Sequence, residues 1–197
     1  MSSEHQPAAL VVADVAAWRA WLDGHEDSSD GVRLVLAKKG TTVPTSLSYA
    51  DALEEALCSG WIDGRRNALD AFTFRQHFTP RRARSIWSQR NVDIANRLIA
   101  SGRMRARGLA EVDRAKADGR WERAYAGQAA AEVPADLASA LQQSPTAAAR
   151  FAQLDRGRRY AVIHRVTTAP SASSRAGRIA TFIADAEQHE SAPDSGG

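Results

Sequence analysis

Residues 61–78 read WIDGRRNALDAFTFRQHF, and the way this stretch folds decides the class of the whole chain. Branched and aromatic residues concentrate at its two ends, 61–66 and 72–78, which predicts two strands. Asn67 to Asp70 between them carries the turn chemistry that predicts a hairpin. In the second strand Phe72, Phe74 and Phe78 fall on one face and Thr73, Arg75 and His77 on the other, so one face packs and the other is available. An earlier run, residues 32–38, VRLVLAK, is a third strand candidate closed by Gly40.

Outward from these strands the periodicity is helical. Ser48 with Asp51 resembles a capping box that opens a helix through Cys58, with Ala52, Leu53, Ala56 and Leu57 inward and Gly60 ending it. Upstream, Asp14 caps a short helix to Asp23 whose face is Val15, Trp18 and Leu22, followed by a loop over 24–31. Beyond Thr79-Pro80 the pattern is helical to the end. A helix opens at Ser85 or Ser88, carries Val92, Ala95, Leu98 and Ile99 and stops at Gly102; another spans 105–119. Pro134 and the Ser144-Pro145 pair read as openings with proline at the first helical position. Asp155, then Ser171 or Ser173, cap two last helices with inner faces Tyr160, Ile163, Val166 and Ile179, Phe182, Ile183. The expected fold is α+β: a mostly helical single domain with a small antiparallel sheet or hairpin in the N-terminal half and a C-terminal helical bundle. Residues 1–130 form the α+β core, 131–190 a helical region packed on it within the same domain, and 191–197 a disordered tail.

Composition narrows the function classes. The formal charge is only +3, too mild for a nucleic-acid binder. Of the 26 basic residues only Lys38, Lys39 and Lys116 are lysines, and the rest are arginines. Arginine presents a planar fork of donors suited to carboxylate and phosphate, although codon bias in a GC-rich genome gives the same enrichment. The single cysteine, Cys58, excludes an internal disulfide and any CxxC motif. Its place at a helix C-terminus, where the dipole disfavours a thiolate, points to a structural role. The five histidines are scattered without metal-ligand spacing, so no metal is expected. No GxSxG, P-loop, dinucleotide or zinc motif occurs, which argues against a familiar hydrolase, ATPase or dehydrogenase and implies no cofactor. Residues 1–7 are polar, no secretory leader is evident, and no window approaches the ~20 apolar residues of a membrane helix, so a cytoplasmic protein without a membrane span is expected.

The candidate chemistry gathers between Cys58 and Asn91. Trp61 and Trp87 offer flat walls for a ligand, or else are core residues. Asp63 or Asp70 lies across from Arg75 if the strands pair, and such charged pairs either orient donors toward a ligand or are surface ion pairs. Arg81 and Arg82 follow the Thr-Pro turn. Ser88 and Asn91 lie in the first turn of the next helix, whose free N–H groups favour a phosphate or carboxylate; the alternative is that Ser88 is a plain cap. The leading expectation is a non-enzymatic binding protein with an arginine-rich pocket for a small anionic ligand. One rival is an enzyme of unfamiliar type using Asp63 or Asp70 as base. Another is a weak nucleic-acid binder using the arginines of 81–105.

Three runs carry a family resemblance: YADALEEALCSGWIDG at 49–64, FTPRRARSIWSQRN at 78–91 and SGRMRARGLAEVDRAKADGRW at 101–121. They closely resemble the YdeI/OmpD-associated family, also called bacteriocin-protection proteins, and the resemblance extends less specifically to the C-terminal helices. It implies a role in tolerance of antimicrobial peptides, a protein partner by association with an outer-membrane porin, and no catalytic residues. In the last helix the chain departs from the family pattern at Ala169-Pro170 and Ser174, leaving Arg175 and Arg178 as matches.

Overall fold

The computed structural model describes residues 9–188, so the C-terminal tail expected at 191–197 lies outside the described residues. The class is α+β, with a three-stranded antiparallel sheet in the N-terminal half, helices in the C-terminal half, and about half of the chain helical. Two compact units are formed. The first takes the described residues through Ser85 together with Asn91–Trp121, and the second takes Ile86–Arg90 together with the described residues from Glu122 on.

In the first unit α1 (Val15–His25) is opened by Asp14, whose carboxylate accepts from the Ala17 amide at 2.9 Å. The helix continues through Gly24, which the sequence placed in a loop. Strand β1 (Val32–Ala37) leads to α2 (Tyr49–Cys58), where Ser48 accepts from the Asp51 amide at 3.2 Å and donates to its carboxylate at 2.7 Å. Gly60, at φ 70°, turns the chain out of α2, a conformation that side-chain-bearing residues rarely adopt. The hairpin follows as β2 (Trp61–Ala68) and β3 (Thr73–Pro80), and the sheet order β1-β3-β2 puts β3 in the centre.

Phe74, Gln76 and Phe78 are buried on one face of β3. There Trp18 of α1 meets Phe78 at 5.7 Å and ties α1 to α2 by donating to the Ala52 carbonyl at 3.1 Å. Two expectations for this strand fail. Phe72 is 66% exposed because it belongs to the turn, and Thr73 is 1% exposed because its hydroxyl turns back to donate to Asp70.

Helices α3 (Gln89–Ala100) and α4 (Ala106–Ala117) complete the unit, although the first two residues of α3 group with the second unit. Ser85 does not open α3; its hydroxyl accepts from the Arg82 amide at 2.9 Å. α4 lies against the end of α2 so closely that only glycine fits at Gly108, under the Cys58 carbonyl.

The second unit comprises α5 (Ala135–Gln143), α6 (Pro145–Gln153), α7 (Arg156–Thr167) and α8 (Ala172–Gln188). Its core joins Leu137, Leu141, Phe151, Ile163, Val166 and Ile179, with Phe182 edge-on to Phe151 at 5.9 Å. The caps at Ser144, Asp155 and Ser171 form as the sequence predicts, with Pro145 at the start of α6, whereas Pro134 is the cap residue of α5 and not its first helical residue. Arg175 grips Asp136 with two bonds, 2.5 and 2.8 Å, and so staples α8 to α5. None of the described helices is long and apolar enough to cross a membrane.

Candidate functional site

The hairpin pairing sets which side chains meet. Trp61 to Asp63 pair with Pro80 to Phe78, and Arg66 to Ala68 pair with Gln76 to Phe74, leaving Gly64 and Arg65 together opposite His77. This is a β-bulge: one extra residue in β2 inverts the parity of everything after it. Asp63 therefore stands opposite the buried Phe78 and accepts a 2.8 Å hydrogen bond from the Tyr49 hydroxyl of α2. Asn67, four residues on, stands opposite Arg75 on the other face. In a regular strand Asp63 and Asn67 would share a face.

On that second face β1 contributes Arg33, which pairs with His77, while Val35 pairs with Arg75. Arg33, Arg65, Asn67, Arg75 and His77 line a pocket of about 200 Å³. No acidic residue is in the lining. No ion pair among the described residues reaches Arg65 or Arg75, and the Nε of Arg75 is buried with no hydrogen-bond partner. A desolvated guanidinium nitrogen without an acceptor carries a cost that a ligand oxygen would relieve. Burial, and then the neighbouring Arg33 charge, hold the His77 imidazole below its ordinary pKa, so it is neutral at pH 7. Gly31, at φ 144°, lets the chain pass close over this ring: a Cβ there would lie 3.1 Å from His77 Nε2 and 2.8 Å from Thr79 Cγ2.

Of the residues proposed from the sequence to bind a ligand, Arg75 lines this pocket, joined there by Arg65 from the same charged cluster and by His77 from the available strand face. Trp61 is fully buried, donating to the Glu26 carbonyl at 3.3 Å and standing edge-on to Trp21 at 5.9 Å. Asp70 caps the hairpin turn, accepting from the Phe72 and Thr73 amides at 2.8 and 2.7 Å and from the Thr73 hydroxyl at 2.8 Å. These bonds, the hydroxyl's foremost, hold its carboxyl below the usual range. Across from Arg75 stand Val35 and Asn67, where the sequence suggested Asp63 or Asp70. Arg81 is 5% exposed, with its amide donating to the Gly60 carbonyl at 3.0 Å, and Arg82 is exposed on the loop that follows. Asn91 is buried in α3. Trp87 and Ser88 belong to the second unit: Trp87 is 2% exposed, its carbonyl accepts from the Tyr125 amide at 3.0 Å, and Ser88 forms a parallel bridge with Tyr125.

Sequence reasoning passed over Arg33, although a lone arginine in the otherwise apolar VRLVLA strand was a usable signal. It placed Arg65 in the first strand and Asn67 in the turn, because the bulge leaves no local mark beyond Gly64 to show that both line one pocket.

A second charged cluster of the first unit is self-satisfied. Glu55, 1% exposed, accepts from Arg19 at 2.6 and 2.9 Å and from Arg103 at 2.6 Å. Arg103 also reaches Glu54 at 2.6 Å, and Arg105 joins Asp23 and Glu26 at 3.0 and 3.2 Å. Burial alone would raise the Glu55 pKa, but the bonds and charges of Arg19 and Arg103 outweigh it and leave the carboxyl below its ordinary value.

Residues 10–111, more than half of the chain, match the family described as Domain of unknown function (DUF8412). The chain belongs to that family. The pocket residues Arg33 to His77 all lie within the DUF8412 region. Residues 130–189 match a second family, described as Bacteriocin-protection, YdeI or OmpD-Associated, so a YdeI/OmpD-associated domain is present over α5 to α8. The runs at 49–64 and 78–91 that carry the resemblance in the sequence fall in the DUF8412 region. The YdeI/OmpD-associated match instead rests on the helices that hold Arg175 and Arg178. No curated protein and no solved structure matches the chain.

Proposed function

We propose that this is a non-enzymatic anion-binding protein whose site is the pocket of Arg33, Arg65, Asn67, Arg75 and His77 on the open face of the sheet. The observation that carries the reading is the convergence of three guanidiniums on one concavity with no carboxylate in its lining. Gathering like charges costs free energy, which a bound anion offsets, and arginine forks suit oxyanions. Asp63 and Asp70 are both engaged in holding the fold, Asp63 by the Tyr49 hydroxyl and Asp70 by the turn. The bacteriocin-protection description of the second match extends the reading to tolerance of antimicrobial peptides in the cytoplasm, exercised through binding and not turnover.

Titration calorimetry with sulfate and inorganic phosphate tests it. Wild type binds either anion saturably, more weakly at high salt. An Arg65→Ala, Arg75→Ala pair loses at least ~10-fold in affinity, the equivalent of one charge-assisted hydrogen bond, with its melting temperature unchanged. Equal affinity of the pair and wild type would overturn the reading.

A further inference from the structure

We infer that the pocket is built for a doubly charged tetrahedral oxyanion on a small organic body, that is a phosphate monoester, and that His77 takes up a proton when this ligand binds. The inference rests on the anion-binding reading and adds to it a ligand class and a linked proton. Three features of the site argue for it.

The first is charge. Arg33, Arg65 and Arg75 are permanently cationic. A monoanion balances one guanidinium, whereas a dianion balances both Arg65 and Arg75, which no ion pair among the described residues reaches.

The second is the direction of the donors. They stand on three strands: Arg33 on β1, Arg75 and His77 on β3, Arg65 and Asn67 on β2. Partners across paired strands are about 5 Å apart at Cβ and positions two along a strand are about 7 Å apart. The oxygens of a carboxylate lie in one plane and are satisfied by a single guanidinium fork. Donors arriving from three strands need an acceptor with oxygens in three directions, which a tetrahedral oxyanion has. The cavity, about 200 Å³, also leaves room beside the oxyanion for the carbon atoms of an ester.

The third is the placing of His77 among cations. Arg33 faces it from β1, Arg65 and the Gly64 backbone from β2, Arg75 from its own strand, and Gly31 closes over its Nε2. No pocket group favours the imidazolium while the site is empty, which agrees with the depressed pKa. A dianion among the three arginines offsets most of the local positive potential and so favours the protonated ring relative to the empty site. Proton uptake on binding then requires, by linkage, that affinity rises as pH falls.

Sulfate is the decisive probe because its own charge is constant between about pH 5.5 and pH 8. Calorimetry in buffers of differing ionisation enthalpy at pH 7 shows uptake of a fraction of a proton per sulfate bound, at most about one half for a shift of one pKa unit. Affinity rises several-fold from pH 8 to pH 6, within the ~10-fold ceiling that a shift of one pKa unit on His77 allows. His77→Gln still binds sulfate but without proton uptake and with a flat pH profile. If that variant misfolds, the His77 ring-proton resonances of wild type carry the same information, since their titration midpoint moves up when sulfate is added. Glycerol phosphate binds at least as tightly as sulfate, and acetate at least ~10-fold more weakly. Sulfate binding with no linked proton, or acetate as tight as sulfate, would overturn the inference and leave the anion-binding reading standing. Failure of every anion to bind wild type would sink both.

Discussion

Glu55→Gln removes one charge from the best-buried carboxylate of the first unit and keeps its shape. The side chain of Glu55 is 2% exposed and accepts from Arg19 and Arg103, whose own side chains are 52% and 40% exposed. A hydrogen bond to a charged group contributes ~1.5–3 kcal/mol when both partners are shielded. Here the two guanidiniums regain water once the charge is gone, and the glutamine oxygen still accepts, so each bond is discounted toward the lower end. The expected loss is about 2–3 kcal/mol, below the 3–5 kcal/mol cost of breaking a fully buried pair. At ~2–4 °C per kcal/mol for a chain of this size, the melting temperature falls by roughly 5–10 °C.

Urea unfolding followed by tryptophan fluorescence reads the change, because Trp18 and Trp61 are buried in the same unit. A pH series supplies the sign. The folded pKa of Glu55 lies below the ordinary value of 4.5, so its contribution is complete above that pH and is lost as pH falls through the folded value. The gap between wild type and variant therefore closes in acid. A loss under ~1 kcal/mol, the worth of a surface pair, or a gap that persists undiminished in acid, would refute the reasoning.

Two further outcomes follow from the contact between α2 and α4. Gly108→Ala destabilises by about 2 kcal/mol despite the better helix propensity of alanine, because the new methyl meets the Cys58 carbonyl and, at 2.8 Å, the Met104 Cε; a urea midpoint at or above that of wild type would contradict this. The Cys58 thiol, pushed up to about 11 by burial and then by the Glu55 charge, resists maleimide in the native protein at about pH 8 and reacts promptly in urea. Native labelling at the rate of a free thiol would show that the α2 end opens readily.

Much of the helical half was legible because its signals are local. Each cap is a side chain bonding an amide three residues on, as at Asp14, Ser48, Ser144 and Asp155, so the residue types alone announce it. The inward faces Ile163 with Val166, and Ile179, follow from a period that neighbouring residues state without reference to the rest of the chain. The turn was the first failure: Asp70 reads as an available acid, but three donors already hold its carboxylate. Phe72 reads as core only if the strand is assumed to include it.

The sequence by itself determined the class, the helix boundaries to within a few residues, and the presence of arginines around a hairpin. Tertiary structure decided which arginines act together. The extra residue at Gly64 and Arg65 sends Asp63 toward α2 and Asn67 toward Arg75, and the pairing of β1 with β3 brings Arg33 beside His77 from outside the hairpin. Strand register is a property of two strands at once, and a single added residue reverses every face beyond it, so no reading confined to one segment can place a pocket built across three strands.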